Sequence, residues 1–247
     1  MTTITNKRKI NEIEHGKRIT DKAEVYWGWS TAAGKKRAER RAELIISCGQ
    51  LNPEKNVLEA GCGTGIFTEK LSKTGAAITA LDISPDLLNL AKNRIKTENV
   101  FFVLGDLENL EFADNSFDAV VGVSILHHIN LDTALKEIKR VLKNGGKIVF
   151  SEPNMLNPQI MIQKNIPFIR KLAGDTEYEK AFFRWPLVKI LKTNGFKNIT
   201  IKPFDWLHPF TPTTLIPIVE KIGSLLEKIP VVKEFAGSLL IYAECKK

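Results

Sequence analysis

Cysteine is scarce in this chain: Cys48, Cys62 and Cys245 are the three among 247 residues. They share no metal-ligand spacing and cannot build an even disulfide framework, so a reducing, cytoplasmic compartment is expected. No run of about 18 apolar residues occurs, which removes a membrane-spanning helix from the expected elements. The opening Met1-Thr2-Thr3-Ile4-Thr5-Asn6-Lys7 lacks the apolar core of a signal peptide. Histidine is limited to His15, His127, His128 and His208, which show no ligand pattern beyond the adjacent pair. No metal site is expected.

What is present suits one sizeable α/β domain, with 43% hydrophobic and 26% charged residues. The net charge of +8 is uneven, because residues 1–41 hold eleven Lys/Arg against five Asp/Glu. Lys7-Arg8-Lys9 and Lys35-Lys36-Arg37 through Arg40-Arg41 carry most of that excess. No aromatic-interleaved stripe accompanies them, so they read as a solvated, partly mobile arm and one face of a surface helix, not as a nucleic-acid surface.

The most informative stretch is Asn56-Val57-Leu58-Glu59-Ala60-Gly61-Cys62-Gly63-Thr64-Gly65-Ile66-Phe67. A short apolar run ends in an acid and breaks into three alternate glycines, as a strand feeding a tight turn would. Glycine there lets the backbone take positive φ and approach a ligand closely. A dinucleotide fingerprint would need glycine or alanine at position 66, where this chain has Ile66. Glu59 suits an ammonium group better than a pyrophosphate. The next run, Ala77-Ile78-Thr79-Ala80-Leu81-Asp82-Ile83, ends in a carboxylate placed to accept from two ribose hydroxyls. Val100-Phe101-Phe102-Val103-Leu104 then leads into Gly105-Asp106-Leu107, where Asp106 can accept from an adenine amino group.

Taken together, Leu58 to Gly65, Leu81 to Ser84, Gly105 to Leu107, Phe117 to His128 and Leu142 to Ile148 resemble the class I S-adenosylmethionine-dependent methyltransferases, in particular the type 11 group acting on small molecules. The resemblance covers about residues 40–154. It implies that Glu59, Gly61, Cys62, Gly63 and Gly65 hold the methionine moiety of S-adenosyl-L-methionine, Asp82 with Ile83 the ribose, and Asp106 with Leu107 the adenine.

The coarse element pattern gives helices at 34–50, 64–74, 85–97, 132–143 and 185–194. Strands alternate with them at 56–60, 77–83, 100–104, 117–124 and 147–152. The helix at 132–143 is expected to stop at Gly145-Gly146. Such alternation predicts a doubly wound, Rossmann-like, mostly parallel sheet of seven strands. The resemblance implies that strands at 196–203 and 238–244 form its antiparallel edge. The expected organisation is an N-terminal arm and lid over 1–40, a cofactor-binding core over 41–154, and 155–247 as the rest of that domain, with substrate-chamber insertions at 155–184 and 204–237. In the second insertion, Leu215, Val219, Ile222, Leu226 and Ile229 recur at helical spacing and predict an amphipathic helix packed on the core.

The sequence-level function is methyl transfer to a small, amphiphilic or lipid-like acceptor. The partner is a small-molecule substrate, with peripheral membrane contact as a further expectation. His128, then His127, at the end of the fourth strand, are the base candidates, because imidazole titrates near neutrality. Glu152 and Asn154 rank behind them. Tyr26 and Trp27, with Trp29, form an aromatic cluster suited to cover the cofactor. Phe182, Phe183, Trp185, Trp206 and His208 are further chamber candidates. Two alternatives are an RNA or other nucleic-acid methyltransferase and a non-catalytic cofactor-binding regulatory subunit.

Overall fold

A computed structural model describes residues 2–172 and 179–247 of the chain, so residues 173–178 of the first insertion lie outside the described residues. The strands are β1 (Asn56–Ala60), β2 (Ala77–Asp82), β3 (Val100–Leu104), β4 (Phe117–Val123), β5 (Leu142–Pro153), β6 (Phe196–Phe204) and β7 (Ser238–Cys245). The helices are α1 (Thr2–Ile19), α2 (Ala23–Tyr26), α3 (Ala32–Gly49), α4 (Ile66–Ser72) and α5 (Pro85–Arg94). They continue with α6 (Leu131–Val141), α7 (Pro158–Asn165), α8 (Pro167–Leu172), α9 (Arg184–Thr193) and α10 (Ile216–Leu226).

The seven strands form one sheet in the order β3-β2-β1-β4-β5-β7-β6. β1 to β5 pair in parallel, and β7 lies antiparallel between β5 and β6. The expected mixed sheet is therefore observed. Both faces are covered, as a parallel sheet demands. Side-chain alternation sorts the apolar runs: Leu58, Val120, Ile148 and Phe150 join α6 and α9 in one core. Their neighbours Val57, Val121 and Val149 join Ile45, Leu71 and Leu88 in the other. Between β1 and β4 the strand order reverses, and that crevice is where ligands of such sheets sit.

Local sequence explains the helix starts. Thr31 accepts from Gly34 N at 2.9 Å, Ser84 caps α5 ahead of Pro85, and Asn157 caps α7 ahead of Pro158. One expected end is corrected. α6 stops at Val141, not at Gly145-Gly146, because Leu142 is already extended and pairs with Phe117. The two glycines fall inside the irregular start of β5, where Gly145 has φ of 76°.

The N-terminal segment is also corrected. Residues 2–19 are a helix, and its Arg8 and Lys9 make ion pairs with Glu108 and Asp106. In α3, Arg37 Nε donates to Asp205 Oδ2 at 2.8 Å, and Arg41 reaches the same oxygen at 2.6 Å. Arg40 forks onto Glu227 at 2.9 and 2.6 Å. These basic clusters are thus largely internal ties, although Lys35 and Lys36 remain exposed. Burial brings the Arg41 guanidinium down to about 10. For Asp205 burial pushes upward, but Arg41 and Arg37 outweigh it and hold the carboxyl below its usual 3.8.

Replacing Asp205 by alanine leaves a buried Arg41 charge unmatched and is expected to cost about 3–5 kcal/mol of stability at pH 7. Urea denaturation reads this directly, and a loss under about 1 kcal/mol would contradict it. Because the folded carboxyl is depressed, its contribution is full above the unfolded value. It fades as the pH falls through the folded one.

Candidate active site

The glycine turn between β1 and α4 is tight and left-handed, with φ of 68° at Gly61, 52° at Gly63 and 82° at Gly65. A Cβ on Gly61 would lie 2.7 Å from Ile125 Cδ1, so this position admits no side chain without displacing the β4 tip. Asp82, at the end of β2, ties the turn to α5. Its Oδ2 accepts from Gly63 N at 2.7 Å and its Oδ1 from Ser84 N at 2.8 Å. No ion pair reaches Asp82 among the described residues, and burial raises its pKa, with the Ser84 and Gly63 amides opposing. Glu59 sits behind the turn, buried, with no hydrogen-bond partner on Oε2. Burial pushes that carboxyl up to about 7. Burial likewise pushes the Cys62 thiol up, which leaves it unreactive.

These groups open onto a cavity of about 410 Å³. Its floor is the sheet edge, with Gly61, Cys62, Gly63, Asp82 and Ile83 from the first two strand ends and Ser124, Ile125, His127 and His128 beyond β4. Tyr26, Trp27 and Trp29 stand on its wall. α1 crosses one side and contributes Glu12, His15 and Gly16. The approach is close: a Cβ on Gly16 would lie 2.5 Å from Ser84 Oγ. α7 adds Ile160, Gln163 and Lys164, and Glu179 joins them from later in the first insertion.

The family model described as a methyltransferase domain matches residues 58–150. Demethylmenaquinone methyltransferase of Tropheryma whipplei is 42% identical over 100 residues, which is 40% of this chain and 41% of that one. The chain spans about two fifths of the length of the first curated relatives it matches. A longer match reaches the demethylmenaquinone methyltransferase of Staphylococcus haemolyticus, 35% identical over 170 residues, or 60% of this chain and 70% of that enzyme. The chain belongs to the S-adenosylmethionine-dependent methyltransferases. A solved methyltransferase from Thermotoga maritima shares the fold at a TM-score of 0.64 and 20% identity, over 92% of this chain and 98% of that one.

The residues of this methyltransferase fit the family's cofactor. Glu59 Oε2 is a buried acceptor that no group among the described residues satisfies, as an ammonium group would require. Each Asp82 oxygen holds one backbone amide and keeps lone pairs for a ribose hydroxyl. Glu59 and Gly65 stand just behind the cavity wall. Asp106 and Leu107 are off it too, because α1 lies across that end and Lys9 engages the Asp106 carboxylate. An adenine contact by Asp106 therefore needs α1 to withdraw.

On the acceptor side, Glu152 at the tip of β5 organises the turn after β4. Its Oε1 accepts from Ile125 N at 2.9 Å and Leu126 N at 2.8 Å. Its Oε2 lies 2.6 Å from His127 Nδ1. Burial lowers the His127 pKa, and His128 adds to that while Glu152 opposes it. The neutral ring therefore donates from Nδ1 to Glu152 and carries its lone pair on Nε2. The adjacent His128 is opposite in character. Burial lowers its pKa, but Glu12, whose Oε2 lies 3.1 Å from Nδ1, and then Glu179 and Glu152 raise it above 6.5.

One nitrogen of each histidine and a Glu179 oxygen lie within 4.8 Å of one another. The ammonium of Lys164, 3.0 Å from Glu179 Oε2, already supplies a cation to that group. Asn154 is structural, donating to the carbonyls of Glu234 and Ala236. Phe182, Phe183, Trp185, Trp206 and His208 do not reach the cavity. Trp206 packs on Gly223, and His208 pairs with Gln159. Sequence reading missed Glu12, His15, Lys164 and Glu179. For the first two, the i, i+3 spacing on a helix was the available signal.

Proposed function

We propose that this methyltransferase moves the methyl group of S-adenosylmethionine to a small, apolar or lipid-linked acceptor, with His127 as general base. The observation that carries the reading is the Glu152–His127 pair, in which a buried carboxylate behind the cavity fixes the tautomer of a neutral imidazole that lines it. When bound, the cofactor supplies an already electrophilic sulfonium methyl, so the protein's work is to align an acceptor and exclude water. His127 Nε2 takes the acceptor's proton. Tyr26, Trp27 and Trp29 shield that end from solvent, and Ile160 with Ile129 favours an apolar acceptor body. Residues 1–40 serve as arm and lid, 41–154 as the donor-binding core, and the segments 155–184 and 204–237 as chamber and approach.

The ion pairs of Arg8, Lys9, Arg37, Arg40 and Arg41 count against a nucleic-acid acceptor, since charges spent internally cannot neutralise phosphates. Demethylmenaquinone, named in two of the relatives, is the first acceptor probe. With methyl-labelled cofactor, His127→Gln is expected to lower turnover at least about 100-fold and leave cofactor affinity nearly unchanged. His128→Gln should retain more turnover and weaken the tie to α1. Equal losses of turnover and affinity in His127→Gln would refute the base assignment.

A further inference from the structure

Large apolar side chains are turned to solvent on the two insertions, and α10 shows it most clearly. Leu215, Ile218, Ile222, Leu225 and Ile229 are each about half exposed, at 47%, 56%, 50%, 54% and 45%. Steps of three and four residues place Ile218, Ile222 and Leu225 on one face of the helix, with Leu215 in the turn before it and Ile229 in the turn after it. The expected stripe is divided: Val219 packs beside the buried Ala33, Leu207 and Ile216 and Leu226 is half-buried, whereas Leu215, Ile222 and Ile229 face solvent, so the expectation is corrected for that outer half. α10 is held from another side, where Ile216 and Gly223 are buried and Gly223 meets Trp206. An ordinary surface helix does the reverse.

Charge around the stripe is ordered. At about 100° per residue, Lys221 borders the stripe, whereas Glu220 and Ser224 lie farther round, and Lys228 follows exposed in the turn after the helix. The other acid, Glu227, is bound to Arg40. Lysines flanking an apolar face are the arrangement of a helix lying in a membrane interface, with the stems covering apolar surface and the ammonium groups at the headgroups. No described helix is long and apolar enough to cross a membrane, so the geometry is that of a surface contact.

The same character continues beside the cleft. α7 buries no residue and exposes Met161 and Ile162, and Phe168 on α8 is 75% exposed. Besides Lys164, which is bound to Glu179, residues 155–172 contain Arg170 and Lys171 and no acidic residue. α7 is linked to the segment leading into α10 by Gln159 and His208, 2.7 Å apart, and its inner face lines the cavity.

We propose that α10, together with the α7–α8 face beside the cleft, docks on anionic phospholipid bilayers. The apolar stripe enters the acyl boundary, and Lys221 and Lys228 meet the headgroups. An acceptor dissolved in the bilayer would then reach the chamber past α7 without crossing water. This purpose rests on the apolar-acceptor reading, but docking is measured with no acceptor present, so each can fail alone.

The test is cosedimentation of the full chain with vesicles of phosphatidylglycerol and phosphatidylcholine, against vesicles of phosphatidylcholine alone. Binding to the anionic vesicles is expected, weakened about tenfold or more on neutral ones or in high salt. Ile218→Ser/Ile222→Ser/Leu225→Ser and, separately, Lys221→Glu/Lys228→Glu should each lower it at least about tenfold with cofactor affinity unchanged. Wild-type protein that sediments no better than the triple variant overturns the proposal. So does a wild-type dimer that the triple variant converts to monomer, because the stripe would then bury against a second copy.

Discussion

Replacing Asp82 by alanine is expected to weaken S-adenosylmethionine binding well over tenfold. A hydrogen bond to a charged acceptor contributes about 1.5–3 kcal/mol, and two ribose hydroxyls would lose theirs together. Even one such loss reaches about a factor of ten in Kd. A second effect adds to the first, because both Asp82 oxygens also hold backbone amides, Gly63 on one side and Ser84 on the other. Asp82→Asn separates the two. It keeps the shape and one acceptor, so its loss should be smaller than that of alanine. Calorimetric titration with the cofactor decides the matter, and an unchanged Kd for Asp82→Ala refutes the ribose assignment.

Glu152→Gln is expected to lower turnover about 10²- to 10³-fold with a near-native fold. The glutamine carbonyl oxygen can still accept from Ile125 and Leu126, so the turn survives. Its amide nitrogen then faces His127 Nδ1 and donates to it. The imidazole must carry its proton on Nε2, the atom that should accept one. The pH profile supplies an independent check. The His127 pKa lies below 6.5, and only the neutral ring is a base. In the wild type, kcat/KM should therefore fall as the pH drops through that value and stay level above it. A wild-type profile with no acidic limb, or Glu152→Gln with full turnover, would overturn the assignment.

The glycine turn and the Asp82 strand tip of the candidate site were legible because their requirements are local. A turn that needs positive φ selects glycine, and a strand tip needing an acceptor ends in Asp82. The parallel, doubly wound sheet followed from alternating helices and strands, and its antiparallel edge from the family resemblance. The acceptor half was not local. Glu152 stands 25 residues from His127 and Glu12 over a hundred from His128, and only the packed sheet and α1 bring them together. Arg8 and Lys9 look solvated until Glu108 and Asp106 are placed beside them. The stripe on α10 was visible as a period, but a period does not say which way the stripe faces. Likewise Gly145-Gly146 resembles a helix stop, and nothing local reveals that Leu142 already pairs with Phe117.

The position of β7 has a consequence for how the molecule is made. β6 touches the sheet only through β7, which the ribosome produces more than thirty residues later. While the chain is still being synthesised, β6 has no strand to join and β5 presents a bare edge. Among such non-local pairings the slowest to form closes the sheet last. Until β7 slides between its two neighbours, the facing edges of β5 and β6 keep their backbone hydrogen-bonding groups unpaired, the state in which strand edges invite aggregation.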